Sequence, residues 1–218
     1  MYKFFAFLNR MKYIKRWSLM CSVREENIME HSQQVAVIAH ALALIKNKVY
    51  GGNVDVNKTV LLAQYHEVGE VITGDLPTPI KYFNPEIKSA YKDLEKKASE
   101  RLIGMLPEIL REEYTRYVMP DENTEEYIIV KCADRLSAYL KCVEEVKAGN
   151  SEFKKAKISI GNELKNSKRA EVQYYLKEFA PAFDLTLDEL DWCRIKKEKN
   201  RFVQNLYYTA YNLLKLPL

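Results

Sequence analysis

Glycine and proline are scarce in this chain, seven of each in 218 residues, and they fall between long stretches free of helix breakers. No segment alternates apolar and polar residues between hairpin turns, so a sheet is not expected. Long apolar runs are also missing. None approaches the roughly 18 residues that a membrane span requires, so no membrane partner is expected. The four cysteines, Cys21, Cys132, Cys142 and Cys193, form no C-x-x-C pair, which argues against a zinc knuckle or a redox motif. Reduced, buried thiols are the expectation. Neither charge sign dominates: 34 basic residues face 30 acidic ones, a net charge of +4. That excess is too mild to point to a nucleic-acid polymer, although it is compatible with a local basic pocket for one phosphate. Histidine is rare as well, with three in the whole chain.

What is present reads as helix. The length fits one domain with a sizeable core and no need of staples. The opening Met1–Arg10 segment has its apolar run broken by Lys3, Asn9 and Arg10, too short for a signal-peptide core, and a cytoplasmic location is expected. Phe4, Phe5, Leu8, Met11 and Ile14 recur at helical spacing and predict a short first helix. Val35, Ile38, Ala39, Leu42 and Ile45 predict a stronger one over 30–46, closed by the Gly51-Gly52-Asn53 turn. Asp55 or Asn57 can cap a third helix through Leu61, Leu62 and Tyr65 to about Val71. The segment 73–79 holds two prolines and a glycine and predicts an ordered turn. Pro85 opens a long charged helix, and further helices are predicted over 124–147, 150–165 and 170–179. A last helical pattern, with Phe202, Leu206, Ala210 and Leu213, makes residues 191–218 an additional C-terminal helix on the 1–190 domain.

The chemistry-bearing residues gather in few places. His66, Glu67 and Glu70 lie at the end of the third predicted helix, with His66 and Glu70 four apart on one face. His31 stands near the start of the preceding helix, which a short connection would pack alongside. Asp134 sits in the apolar context Ile128-Ile129-Val130-Lys131-Cys132-Ala133, where a carboxylate is costly to bury unless it is paired or binds a metal. Taken alone, a helix ion pair with Arg135 serves Asp134 equally well. Two imidazoles and two carboxylates suit Mn, Fe, Co or Mg better than a closed structural zinc site. His66-x-x-x-Glu70 is not the zinc-protease pattern, because the second histidine is replaced. His40 has no neighbouring acid and reads as a core or helix-face histidine.

The ordered series Arg16-Trp17, Glu30-His31-Ser32, Tyr65-His66-Glu67-x-x-Glu70, Gly74-Asp75-Leu76-Pro77-Thr78-Pro79 and Lys131-x-Ala133-Asp134 resembles the bacterial YfbR-like 5'-deoxynucleotidases. These belong to the HD-domain phosphohydrolase superfamily. The resemblance implies an all-α fold: a single HD-domain helical bundle, assembled as a homodimer. It implies a divalent metal on His31, His66, Glu67 and Asp134, and Glu70 as the carboxylate that handles the attacking water. Arg16 and Trp17 match the pair that contacts the nucleotide and helps exclude a 2'-hydroxyl, while Asp75 and Thr78 match a turn that contacts the sugar. The implied reaction is release of orthophosphate from small nucleoside 5'-monophosphates. One position departs, since the family reads His-Asp where this chain has His66-Glu67. A glutamate carries its carboxylate about one bond length further out and remains a good oxygen ligand. The alternatives are hydrolysis of deoxynucleoside triphosphates, or a catalytically weakened nucleotide binder.

Overall fold

The structure, a computed structural model, describes residues 1–81 and 83–190, without the side chain of Thr78. The C-terminal pattern over 191–218 lies outside the described residues. Among the described residues ten α-helices follow one another: α1 (Phe4–Leu8), α2 (Ile28–Tyr50), α3 (Val56–Tyr65), α4 (Glu70–Thr73), α5 (Thr78–Lys81), α6 (Pro85–Gly104), α7 (Glu108–Val118), α8 (Glu125–Lys147), α9 (Lys154–Lys165) and α10 (Ala170–Glu178). Among the described residues the only β-type pairing is one antiparallel bridge, Lys15 with Asn27.

Local chemistry sets the helix ends. Asn27 caps α2 by accepting from the backbone N–H groups of Met29 and Glu30. Gly51 ends the same helix at φ 69°, a left-handed conformation that glycine adopts without the clash a Cβ would bring. Asp55 caps α3, and Thr124 caps α8. Asn84 caps α6, with Pro85 at the first turn, where its missing N–H is not needed.

The apolar stripes of α2 and α8 face each other with α3, α9 and α10 around them. Val35, Ala39, Leu42, Ile129, Leu136 and Leu140 are fully buried there. Truncating such a leucine to alanine costs about 2–5 kcal/mol. A second, smaller cluster joins Phe4 and Met11 to Ile28, Val68, Leu102 and Leu106, and so ties the N-terminus and α6 to the turn after α3.

Several boundaries differ from expectation. The first helix is α1 followed by a 3₁₀ turn over Asn9–Tyr13, and the stretch from Asn150 opens with another, Ser151–Phe153. One turn of helix, α5, forms inside the proline-rich segment. The helix α7 carries no buried residue and is not among the helices expected from the sequence. Cys21 is exposed, whereas Cys132 and Cys142 are shielded, and all three are free thiols. Most consequential is the end of α3. It stops at Tyr65 instead of running to Val71, and residues 66–69 form a turn.

Candidate metal centre and substrate cleft

That turn shapes the site. On a continuous helix the side chains of adjacent residues diverge by roughly 100°. Here the break brings His66 Nε2 to 3.3 Å from Glu67 Oε1. Glu70 is the first residue of α4 instead of a helical neighbour of His66, and its carboxyl is hydrogen-bonded to that of Glu67. From α2 comes His31, fully buried, with Nε2 3.0 Å from Oδ1 of Asp134 on α8. His31, His66, Glu67 and Asp134 each offer one ligand atom, all within 4.8 Å of one another. The four residues singled out from the sequence therefore converge. Arg135 instead pairs with Glu163, and Asp134 is not its partner. His40 is an exposed helix-face residue.

Hydrogen bonds fix both imidazoles. His66 Nδ1 donates to the Ala63 carbonyl at 2.7 Å, which leaves the Nε2 lone pair free. That buried Nε2 has no hydrogen-bond partner. Ser137 Oγ lies 2.6 Å from Gln34 Oε1, an acceptor, so the hydroxyl proton goes there. The same Oγ, 3.2 Å from His31 Nδ1, then accepts from that ring. His31 Nε2 faces Asp134 Oδ1 at 3.0 Å: a proton between them makes the hydrogen bond that lowers Asp134, and a cation in its place would be held by the Nε2 lone pair. Two imidazole nitrogens and two carboxylate oxygens so disposed fit a divalent cation.

The electrostatics agree. Burial pushes His66 down to about 4, so its neutral, ligating form prevails at neutral pH. Burial would raise Glu67, but His66, the Glu70 hydrogen bond and Arg16 outweigh it and hold Glu67 at about 2. Asp134 is likewise held well below the ordinary carboxylate range, against burial, by His31 and by Lys131, whose Nζ donates to Oδ2 at 3.2 Å. Glu70 goes the other way. Burial and the neighbouring Glu67 charge raise it strongly, and its Oε2 is buried without a partner.

Arg16 brings its Nη1 to 3.9 Å from Glu67 Oε1 from the loop before α2. Burial works against its charge, yet Glu67, Asp134, Glu26 and Asp75 together raise its pKa. Beside it Trp17 packs against Phe153, with ring centroids 5.4 Å apart and planes tilted by 57°. Asp75 lies within electrostatic reach of Arg16 and Glu67; burial raises its carboxyl while Arg16 opposes. Thr78 begins α5, and its side chain is outside the described residues. A cavity of about 730 Å³ opens beside the cluster, with His66, Glu67, Glu70, Lys81 and Lys131 among its walls. Lys81 is tied to Glu95 at 2.9 Å. Sequence reasoning missed Ser137, Lys131 and Glu26, which touch the residues it found, and Gln34, which touches Ser137. Only Lys131, three positions before Asp134 on one helix, carried a local signal.

Comparison with known proteins accords with this geometry. The chain is 52% identical over 188 residues to a 5'-deoxynucleotidase of Vibrio vulnificus, covering 86% of this chain and 97% of that protein. A 5'-deoxynucleotidase of Vibrio cholerae is 53% identical with the same coverage. Among solved structures, an HD-domain phosphohydrolase of Listeria innocua superposes with a TM-score of 0.74 at 22% identity, covering 90% of this chain and 96% of that one. A cyanophage S-2L HD phosphohydrolase, DatZ, described as bound to dA and one catalytic Zn2+ ion, superposes with a TM-score of 0.54 at 19% identity, covering 81% and 95%. At these identities the two structures establish the shared helical fold. The family described as 5'-deoxynucleotidase YfbR-like matches residues 3–183, and the chain belongs to that family.

Proposed function

We propose that this protein hydrolyses the 5'-phosphate of deoxynucleoside monophosphates, yielding nucleoside and orthophosphate, with a divalent cation held by His31, His66, Glu67 and Asp134. The observation that carries this reading is the convergence of those four residues, with two imidazole lone pairs turned toward two carboxylates. Bound there, the cation would polarise the phosphoryl oxygens and lower the pKa of a coordinated water; Mn, Co, Fe and Mg are all suited to the donor set.

The chain's own groups supply the rest. Glu70 lines the cavity and orients the attacking water; a cation bound beside it would favour its carboxylate form, which takes the water's proton and returns it to the departing 5'-oxygen. The water oxygen bonds to phosphorus as the bond from phosphorus to the 5'-oxygen breaks. Arg16 offers a fork of donors that matches a phosphate and offsets its charge. Trp17 packs against the sugar, and selection against a ribose arises at that contact. Asp75, in the turn before α5, and Thr78, the first residue of that helix, match family positions that contact the sugar.

A cytoplasmic location and a homodimer, the latter implied by the family likeness, complete the reading. No described helix is long and apolar enough to cross a membrane. The test is phosphate release from deoxy- and ribonucleoside monophosphates with Mn, Co, Mg or chelator. Release from the deoxy forms that requires metal is the expected result. Folded protein that releases nothing with any metal would overturn the reading, and tripolyphosphate from deoxynucleoside triphosphates would replace it.

A further inference from the structure

The segment that carries Arg16 and Trp17 is held as one half of a short antiparallel pair. Lys15 bridges Asn27, the Arg16 N–H donates to the Glu26 carbonyl at 2.9 Å, and the Ile28 N–H donates to the Ile14 carbonyl at 3.0 Å. This register sets Glu26 beside Arg16. A single carboxylate oxygen, Glu26 Oε2, accepts from Arg16 Nε at 3.2 Å and from the Trp17 indole Nε1 at 3.1 Å. The Glu26 side chain is only 12% exposed.

Two consequences follow from that shared acceptor. With Nε engaged by Glu26, the guanidinium presents its Nη edge toward Glu67 and the metal centre, the edge that can grip a phosphate. The indole is fixed at its one polar atom, which sets its plane against Phe153. Trp17 also adopts φ 57°, the only positive φ outside glycine among the described residues. For a bulky side chain that conformation is strained and persists only where the surroundings over-determine it. The bond from Nε1 to Glu26 and the Phe153 contact are two such constraints.

We propose that Glu26 is the positioning residue of the nucleotide site. It binds no substrate and holds no metal. It locks Arg16 and Trp17 into one joint orientation, and through Trp17 it sets the preference for deoxyribose over ribose. This rests on the reading that Arg16 and Trp17 face the substrate.

The test uses the full-length protein in a Trp192→Phe background, so that emission reports Trp17 alone, with the variants Glu26→Ala and Glu26→Gln. Steady-state kinetics with Mn on deoxy- and ribonucleoside monophosphates accompany the fluorescence. Glu26→Ala is expected to shift Trp17 emission and raise KM for deoxy substrates roughly tenfold, the scale of one charge-assisted hydrogen bond. The deoxy-to-ribo preference should fall by a similar factor, with kcat changed less than about threefold. Glu26→Gln keeps an acceptor oxygen for both donors and should stay within about threefold of the parent on every measure. An Ala variant with unchanged emission overturns the inference whether or not the protein turns over. So does an Ala variant with unchanged KM and unchanged sugar preference in an active parent, or equal damage from Gln and Ala. A parent that releases no phosphate from any monophosphate instead overturns the proposed function, a distinct result.

Discussion

His31 Nε2 and Asp134 Oδ1 stand 3.0 Å apart, although 103 residues separate them in the chain. The contact joins α2 to α8 at the point where the two longest helices meet the turn after α3. A cation placed there ties three elements together and binds the folded state alone. Adding Mn or Co at about a hundred times its Kd should therefore stabilise the fold by roughly 2.7 kcal/mol. Thermal denaturation with and without chelator measures the shift. His31→Ala should abolish it, and an undiminished shift in that variant would place the ion elsewhere.

Ser137 is a single hydroxyl between Gln34 and His31 that fixes which nitrogen of His31 carries the proton. Ser137→Ala removes the acceptor for Nδ1–H and frees the ring to turn. Loss of such an outer partner costs roughly 10–100-fold in metal affinity or activity. Titration calorimetry with Mn decides between that loss and an unaltered affinity, which would make the hydroxyl a packing group only.

Glu70 sits outside the four-residue ligand cluster but beside it. Glu70→Gln is expected to lower turnover by roughly 10²–10⁴, the usual contribution of a general base, with metal still bound. Metal analysis of the purified variant checks the second half. A variant that loses its metal would make Glu70 a ligand.

Glu67 stands where the family pattern has an aspartate, and its Oε1 lies 3.3 Å from His66 Nε2 and 3.9 Å from Arg16 Nη1. Glu67→Asp retracts the carboxylate by about one bond length. Because metal–ligand distances are tight, the variant should remain active with a changed order of preference among Mn, Co and Mg. Phosphate release measured with each ion would show this, and an identical order in both proteins would count against Glu67 as a ligand.

Far from the metal, Glu145 accepts from the N–H groups of Val23 and Arg24, from Asn150 Nδ2 and from Lys141 Nζ at 2.5 Å. It thereby pins the loop that leads from Trp17 back to α2. Burial would raise its carboxyl, but these donors, Lys141 foremost, hold it at about 2. A carboxylate depressed in the folded state stabilises above its ordinary value near 4.5 and loses that contribution as pH falls from there through about 2. Glu145→Ala leaves Lys141 buried without its counter-ion and should cost about 3–5 kcal/mol by urea denaturation at neutral pH. The difference between parent and variant should shrink steadily across that acid window. A pH-independent difference would show that charge is not involved.

Much of this molecule was written in local pattern. The 3.6-residue recurrence of Val35, Ala39 and Leu42 marked α2, and the cap and glycine signals at Asp55 and Gly51 placed its neighbours, because these depend on residues a few positions apart. The proposed metal ligands were legible for a different reason: their types and order resemble a known series, and His31, His66, Glu67 and Asp134 do converge.

Local pattern could not show that α3 ends at Tyr65. Helix periodicity runs on toward Val71, and the break follows from burying His66 and Glu67 against groups on α2 and α8. Glu26, Gln34 and Ser137 were silent for the same cause, since each acts through a partner that only folding brings near, whether 10 or 106 residues away. The sequence by itself determined the long helices α2, α6 and α8 and marked the side chains proposed to bear the chemistry, since propensity, capping and residue type are local properties. The tertiary structure alone decided which nitrogen of each histidine faces the centre, which edge of Arg16 is free and how Trp17 is held, because hydrogen bonds between distant segments set those orientations.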